Sequence, residues 1–327
     1  MSDFDLAPGD EEGAAVTLAP GWFSRAVAVE PESRFVEVEG TKVHYLRWGD
    51  PAKPGLLLVH GNGAHARWWS FVAPFLAREY SVAAIDVSGM GDSGWRERYT
   101  LETFAEEQMA VCEDAGFFNC EEPPIIVGHS FGGFITILTG ALYGDRLAGT
   151  VIVDSPVNPP DRPRGPPSRE FRPHRIYPSL DAAMGRFRLA PPQPCENRYI
   201  VDYIARHSLK QVENPEGGEG WTWKFDPAIW RRFDIGDMGA RLAATRCRIA
   251  IMRGEFSVLL SAEIGEYMFN LLGRSAPVIE IPQARHHIML DQPLAFVAAL
   301  RALLADWDHS APSRKIASGP LPSPFDS

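Results

Sequence analysis

Apolar positions along the chain follow two rhythms that alternate. FVEVEG (35–40) and KVHYLRWGD (42–50) interleave apolar and polar residues and are parted by Glu39-Gly40, which predicts an antiparallel hairpin at a sheet edge. Short unbroken apolar runs follow: GLLLVHG, SVAAIDV, PIIVGHS, GTVIVDS, RIAIMRG and PVIEIP. Runs without alternation suit strands buried on both faces, as in a parallel sheet. Most are separated by segments with apolar residues at helical spacing: ARWWSFVAPFLARE, LETFAEEQMAVCEDAGF, GFITILTGALYG, SAEIGEYMFNLLG and LAFVAALRALLADW. Strand–helix–strand repetition predicts an α/β chain with a doubly wound, mostly parallel sheet.

The alternation stops after GTVIVDS and resumes at CRIAIMRG. The intervening stretch opens on VNPPDRPRGPPSREFRPHR, too rich in Pro for a strand or a long helix. Helix-like pieces, SLDAAMGRFRL and ENRYIVDYIARHSL, come next, then a Gly-rich turn and WTWKFDPAIWRRF. The expected organisation is a core of residues 19–155 and 236–308 carrying a mostly helical cap at 156–235. Residues 1–18 read as a disordered acidic segment and 309–327 as a loose, Pro- and Ser-rich tail.

Composition narrows the partners. Across 327 residues, 32 Lys+Arg stand against 42 Asp+Glu, a formal net charge of -10. Nucleic acid and anionic membranes require basic patches, so neither is expected. No stretch approaches the roughly 20 apolar residues of a membrane span. The acidic N-terminus lacks the apolar run of a secretory signal, and the four Cys form no C-x-x-C pair. Reduced thiols in a cytoplasmic protein are the expectation, with self-association into a homo-oligomer left open.

Gly128-His129-Ser130-Phe131-Gly132 lies between a strand-like and a helix-like run. A G-x-S-x-G turn in this setting lifts a serine hydroxyl above the strand ends, and its glycines leave room for a sharp, strained bend. The helix beginning at Phe131 would aim backbone N–H groups and the positive end of its dipole at the reacting centre. Ser130 is the candidate nucleophile.

With this turn, the chain resembles the α/β-hydrolase superfamily, specifically serine esterase- and lipase-like members with a helical cap. The resemblance covers roughly residues 20–308. His60-Gly61-Asn62-Gly63 is similar to the H-G-x loop of that fold, and Asp86-Val87-Ser88-Gly89-Met90-Gly91-Asp92-Ser93-Gly94 to its D-x-x-G-x-G-x-S loop. PQARHHIMLDQP resembles the G-H-x-x-x-x-D-x-P segment, with Arg285 where Gly is commoner. The resemblance implies His286 as general base and the N–H groups of Asn62 and Phe131 as the oxyanion hole. His60 reads as a brace for its loop.

The acid departs from the usual pattern. Many relatives carry Asp after the seventh strand; here that loop reads Arg253-Gly254-Glu255-Phe256-Ser257-Val258-Leu259. Two carboxylates remain, Asp154 at the end of VIVDSP and Glu255, with Asp154 preferred. Haloalkane dehalogenase-like members and some lipases place their acid where Asp154 stands. Dehalogenases and epoxide hydrolases use Asp as nucleophile, and Ser130 excludes that chemistry because a serine ether does not hydrolyse readily.

The implied reaction is cleavage of carboxylic esters, or lactones, through an acyl-enzyme on Ser130, with neither metal nor cofactor. Trp69, Met184, Phe187, Tyr203 and Trp223 are candidates for an apolar small-molecule pocket. Carbon–carbon bond hydrolysis and cofactor-free perhydrolysis are rival activities of the same fold. A non-catalytic ligand-binding protein on a hydrolase scaffold is the rival of another class.

Overall fold

The computed structural model describes residues 18–161, 173–215, 217–229 and 233–310. The expected disordered segment and tail therefore fall mostly outside the described residues, as does the middle of the Pro-rich stretch.

Alternation produces the predicted edge hairpin. β1 (Glu32–Val38) pairs antiparallel with β2 (Thr41–Trp48), and Glu39 and Gly40 turn the chain with φ of 46° and 72°. The apolar runs form β3 (Gly55–Val59), β4 (Ser81–Ile85), β5 (Ile125–His129) and β6 (Gly149–Val153), each buried along its whole length. Beyond the interruption come two cap strands, β7 (Leu209–Glu213) and β8 (Glu219–Trp223), then β9 (Arg248–Gly254) and β10 (Val278–Ile281). The main sheet has eight strands in the order β1-β2-β4-β3-β5-β6-β9-β10, antiparallel only on either side of β2. Side chains such as Leu56, Leu57 and Leu58 are fully buried, a burial worth roughly 1.5–3 kcal/mol each.

Among the described residues, ten helices flank the sheet or build the cap: α1 (Gly21–Val27), α2 (Ala73–Leu76), α3 (Leu101–Asp114), α4 (Phe131–Tyr143), α5 (Leu180–Met184), α6 (Arg198–His207), α7 (Met238–Ala243), α8 (Ala262–Leu271), α9 (Ile288–Asp291) and α10 (Pro293–Ser310). The Thr100 hydroxyl caps α3 by accepting from Thr103 N–H, and Ser261 caps α8 in the same way through Ile264 N–H.

Three expectations are corrected. The helix expected over ARWWSFVAPFLARE is a 3-10 turn, Ala66–Trp69, followed by the single turn of α2. Pro74 explains the break: it has no N–H to donate and fits only the first turn of a helix. The Gly-rich turn of the cap joins a β-hairpin, in which Leu209 faces Trp223 and Gln211 faces Trp221. The cap is therefore of mixed content. Lastly, the helix before the C-terminal tail continues to Ser310.

Crossovers place β4 on one side of β3 and β5 on the other. Strand order reverses there, and a crevice opens above the C-terminal strand ends, where ligands bind in open α/β sheets. The loops after β3, β5, β6, β9 and β10 all converge on it.

Candidate active site

Ser130 stands between the end of β5 and the start of α4, with φ 53° and ψ -117°. A non-glycine residue seldom occupies this region, and the surrounding packing holds the strain. Gly61 runs so close that a Cβ there would lie 3.2 Å from the Ser130 Cβ. Gly132 packs on the carbonyls of Val59 and His60. These glycines bring the β3 loop against the Ser130 turn.

The histidine loop follows β10. Its bend is held by Asp291, whose carboxylate accepts from Arg285 N–H at 2.7 Å and from the Gln193 amide. His286 is 1% exposed and lies between two partners. Its Nε2 is 3.0 Å from Ser130 Oγ and its Nδ1 is 2.7 Å from Asp154 Oδ2.

Asp154 leaves β6 fully buried and with a positive φ of 49°. Besides His286, its carboxylate accepts from Gly254 N–H at 3.1 Å and from the Ser257 hydroxyl at 2.6 Å. The Ser257 oxygen in turn accepts from Leu259 and Leu260 N–H, which leaves its proton for Asp154. Glu255 is exposed, and its carboxylate accepts from Gln283 N–H instead. The polar residue at the position where relatives carry Asp thus supports a carboxylate that comes from the neighbouring strand. The sequence offered no sign of this contact between residues 103 positions apart.

Asn62 and Ser130 line one cavity of about 320 Å³. Phe131 N–H sits in the first turn of α4, at the positive end of its dipole. The Phe131 ring packs edge-on against Phe104. His60 Nδ1–H donates to the Gly61 carbonyl, and its Nε2 accepts from Val87 N–H. That pattern belongs to a neutral imidazole, and burial holds its pKa below the usual histidine range. His129 Nε2–H donates to the His286 carbonyl; burial, followed by the nearby His286 and His287, keeps it neutral as well. His287 is pushed down to about 3 by burial and by His286.

Asp86 anchors the loop after β4, accepting from His44 Nδ1–H, Ala66 N–H and Asp92 N–H. Burial alone would raise its pKa. The hydrogen bond to His44 and the nearby histidines outweigh that effect and hold it at about 2. Asp92 pairs with Lys224 of the cap at 2.6 Å.

The pocket candidates divide. Phe187 and Trp223 line the cavity. Trp69 does not: it is 1% exposed and packs on Phe296, while Trp68 takes the cavity wall. Adjacent residues of a 3-10 turn point about 120° apart, so one ring faces the ligand space and the other the core. Tyr203 packs on Phe23 and His207, and Met184 ends α5 half-buried; neither reaches the cavity. His174 and Tyr177 do reach it but carry no recognisable sequence signal, because irregular cap loops deliver them.

His129, His286 and His287 each present a nitrogen within 4.8 Å of the others. Two of the three are already engaged in the hydrogen bonds above. No helix among the described residues is long and apolar enough to cross a membrane.

The profile of the alpha/beta hydrolase family matches residues 56–300. Among curated proteins, lipase LipV of Mycobacterium tuberculosis is 31% identical over 115 residues, 35% of this chain and 42% of LipV. Mouse epoxide hydrolase 4 is 26% identical over 124 residues, 37% of this chain and 33% of that protein. The chain thus spans less than half the length of these relatives. In its fold it is similar to an esterase from Mycobacterium tuberculosis, with a TM-score of 0.63 and 22% identity, covering 86% of this chain and 95% of the other.

Proposed function

Because the chain belongs to the alpha/beta hydrolase family, we propose that it is a serine hydrolase acting on carboxylic esters through an acyl-enzyme on Ser130. The observation that carries this reading is the unbroken hydrogen-bonded path from Ser130 Oγ through both nitrogens of His286 to Asp154.

Ser130 Oγ adds to the ester carbonyl carbon as its proton passes to His286 Nε2. The imidazolium keeps its Nδ1–H on Asp154, a carboxylate already oriented by Gly254 and Ser257. The negative oxygen of the tetrahedral intermediate accepts from Asn62 and Phe131 N–H, a contribution of about 2.7–4 kcal/mol per donor in comparable sites. Collapse expels the alcohol, which takes the proton from Nε2. Water then attacks the acyl-enzyme by the same route and releases the acid. The LipV match supports ester chemistry. Epoxide opening is not part of this reading despite the epoxide hydrolase matches, since an alkyl group on Ser130 would form an ether with no electrophilic carbonyl for water to attack.

A fluorophosphonate probe tests the reading. It should label the wild-type chain at Ser130 and leave Ser130→Ala unlabelled. Parallel assays with para-nitrophenyl esters of graded chain length should show turnover that disappears in the same variant. Absence of labelling and of turnover would overturn the proposal in favour of a ligand-binding protein.

A further inference from the structure

The cavity over Ser130 is rich in hydrogen-bond donors. Its described lining includes Arg186 and Arg188 but neither Asp nor Glu, in a chain whose net charge is -10. Neither arginine belongs to an ion pair among the described residues. Arg188 is held in place by its own loop, its Nη1 donating to the carbonyls of Gly185 and Phe187 at 2.9 and 2.7 Å. Its Nε and Nη2 make no hydrogen bond among the described residues. Arg186 makes no side-chain hydrogen bond among the described residues.

Trp68 and His287 line the same cavity. They are 6% and 3% exposed, and their ring nitrogens have no hydrogen-bond partner among the described residues. The Pro191 carbonyl is near enough to His287 to favour its protonated form without making a hydrogen bond of ordinary geometry. Buried N–H groups without acceptors are costly, and a bound molecule rich in acceptor oxygens relieves that cost.

We propose that the ester bound here carries a carboxylate, held by Arg186 and Arg188 while its scissile carbonyl lies at Ser130. The site then takes monoesters of short dicarboxylic acids in preference to neutral esters of the same shape. Arginine suits this task because its planar fork meets both carboxylate oxygens. The proposal rests on the esterase reading above and specifies its substrate.

The test compares kcat/KM for monomethyl glutarate with that for methyl 5-methylhexanoate, in which an isopropyl group replaces the carboxylate, followed by proton release. The monoanion should be favoured by about tenfold or more, and less so at high salt, because charge-assisted hydrogen bonds weaken as exposed charges are screened. In Arg186→Gln/Arg188→Gln the ratio should fall to about one, and Arg186→Glu should push it below one. A wild-type ratio near one, or a preference that survives the double substitution, overturns the proposal while leaving the esterase intact. Calorimetry with glutarate reads the subsite without catalysis. Binding to the wild-type chain that weakens about tenfold or more in the double variant supports it, and no binding to wild type overturns it. Failure of the esterase reading is recognised separately, by a Ser130 that fluorophosphonate does not label.

Discussion

At the scale of single residues, the acid is the point on which chemistry turns. Sequence spacing left Asp154 and Glu255 as alternatives. In the structure His286 Nδ1 lies 2.7 Å from Asp154, whereas the Glu255 carboxylate is engaged by Gln283 N–H. Asp154→Asn should therefore lower kcat by about 10⁴, as expected when the partner of a general-base histidine loses its charge and orients the wrong tautomer. Glu255→Gln should change kcat by less than about twofold, as is usual for an exposed surface charge. Steady-state kinetics on a single para-nitrophenyl ester decides between them, and the opposite ranking would transfer the acid role to Glu255. The same comparison bears on the non-catalytic alternative, which a loop without Asp after β9 would favour. Ser257 occupies that position and serves a carboxylate supplied from β6.

At the scale of elements, the site depends on how closely α4 approaches the end of β3. A Cβ on Gly132 would stand 2.5 Å from the His60 carbonyl oxygen and 2.7 Å from that of Val59, and both obstacles are backbone. Gly132→Ala must push the β3 loop away from Ser130. We expect a loss of about 1–3 kcal/mol of stability, the ordinary cost of overpacking, together with a fall in kcat as the Asn62 N–H moves out of line. Thermal unfolding followed by circular dichroism and kinetics on the same preparation would check both; an unchanged midpoint would show that the gap tolerates a methyl group. The cap shows where reading by element breaks down. The hairpin of β7 and β8 comes from five-residue segments whose alternation is too short to stand out beside the helical pattern of ENRYIVDYIARHSL.

At the scale of the molecule, four buried imidazoles couple folding to pH. His60, His65, His129 and His287 all have pKa values depressed by burial, with His65 and His287 at about 3 against 6.5 when exposed. A depressed histidine pKa means that the unfolded chain binds the extra proton. Stability from these groups is complete above pH 6.5 and is lost as pH falls through that value toward the folded pKa values. Asp86, lowered to about 2, adds a loss of the same sign below its ordinary 3.8. Glu107 and Asp291, both raised by burial, act in the opposite sense as they take up protons in the native state. Histidines outnumber them, so the unfolding midpoint should fall between pH 7 and pH 5. A midpoint that stays level or rises over that interval would contradict this balance.

Local pattern was enough for the sheet and its layers, since runs of Val, Ile and Leu long enough to span a sheet can be buried on both faces only by helices folded back over them. It also named Ser130 and His286, through glycine and proline patterns that are local to their turns. Which carboxylate meets His286, which tryptophan faces the cavity and which cap residues line it were settled only by the packed fold. Each of these depends on distances between segments far apart in the chain, and those distances are set only when the strands have paired and the cap has docked.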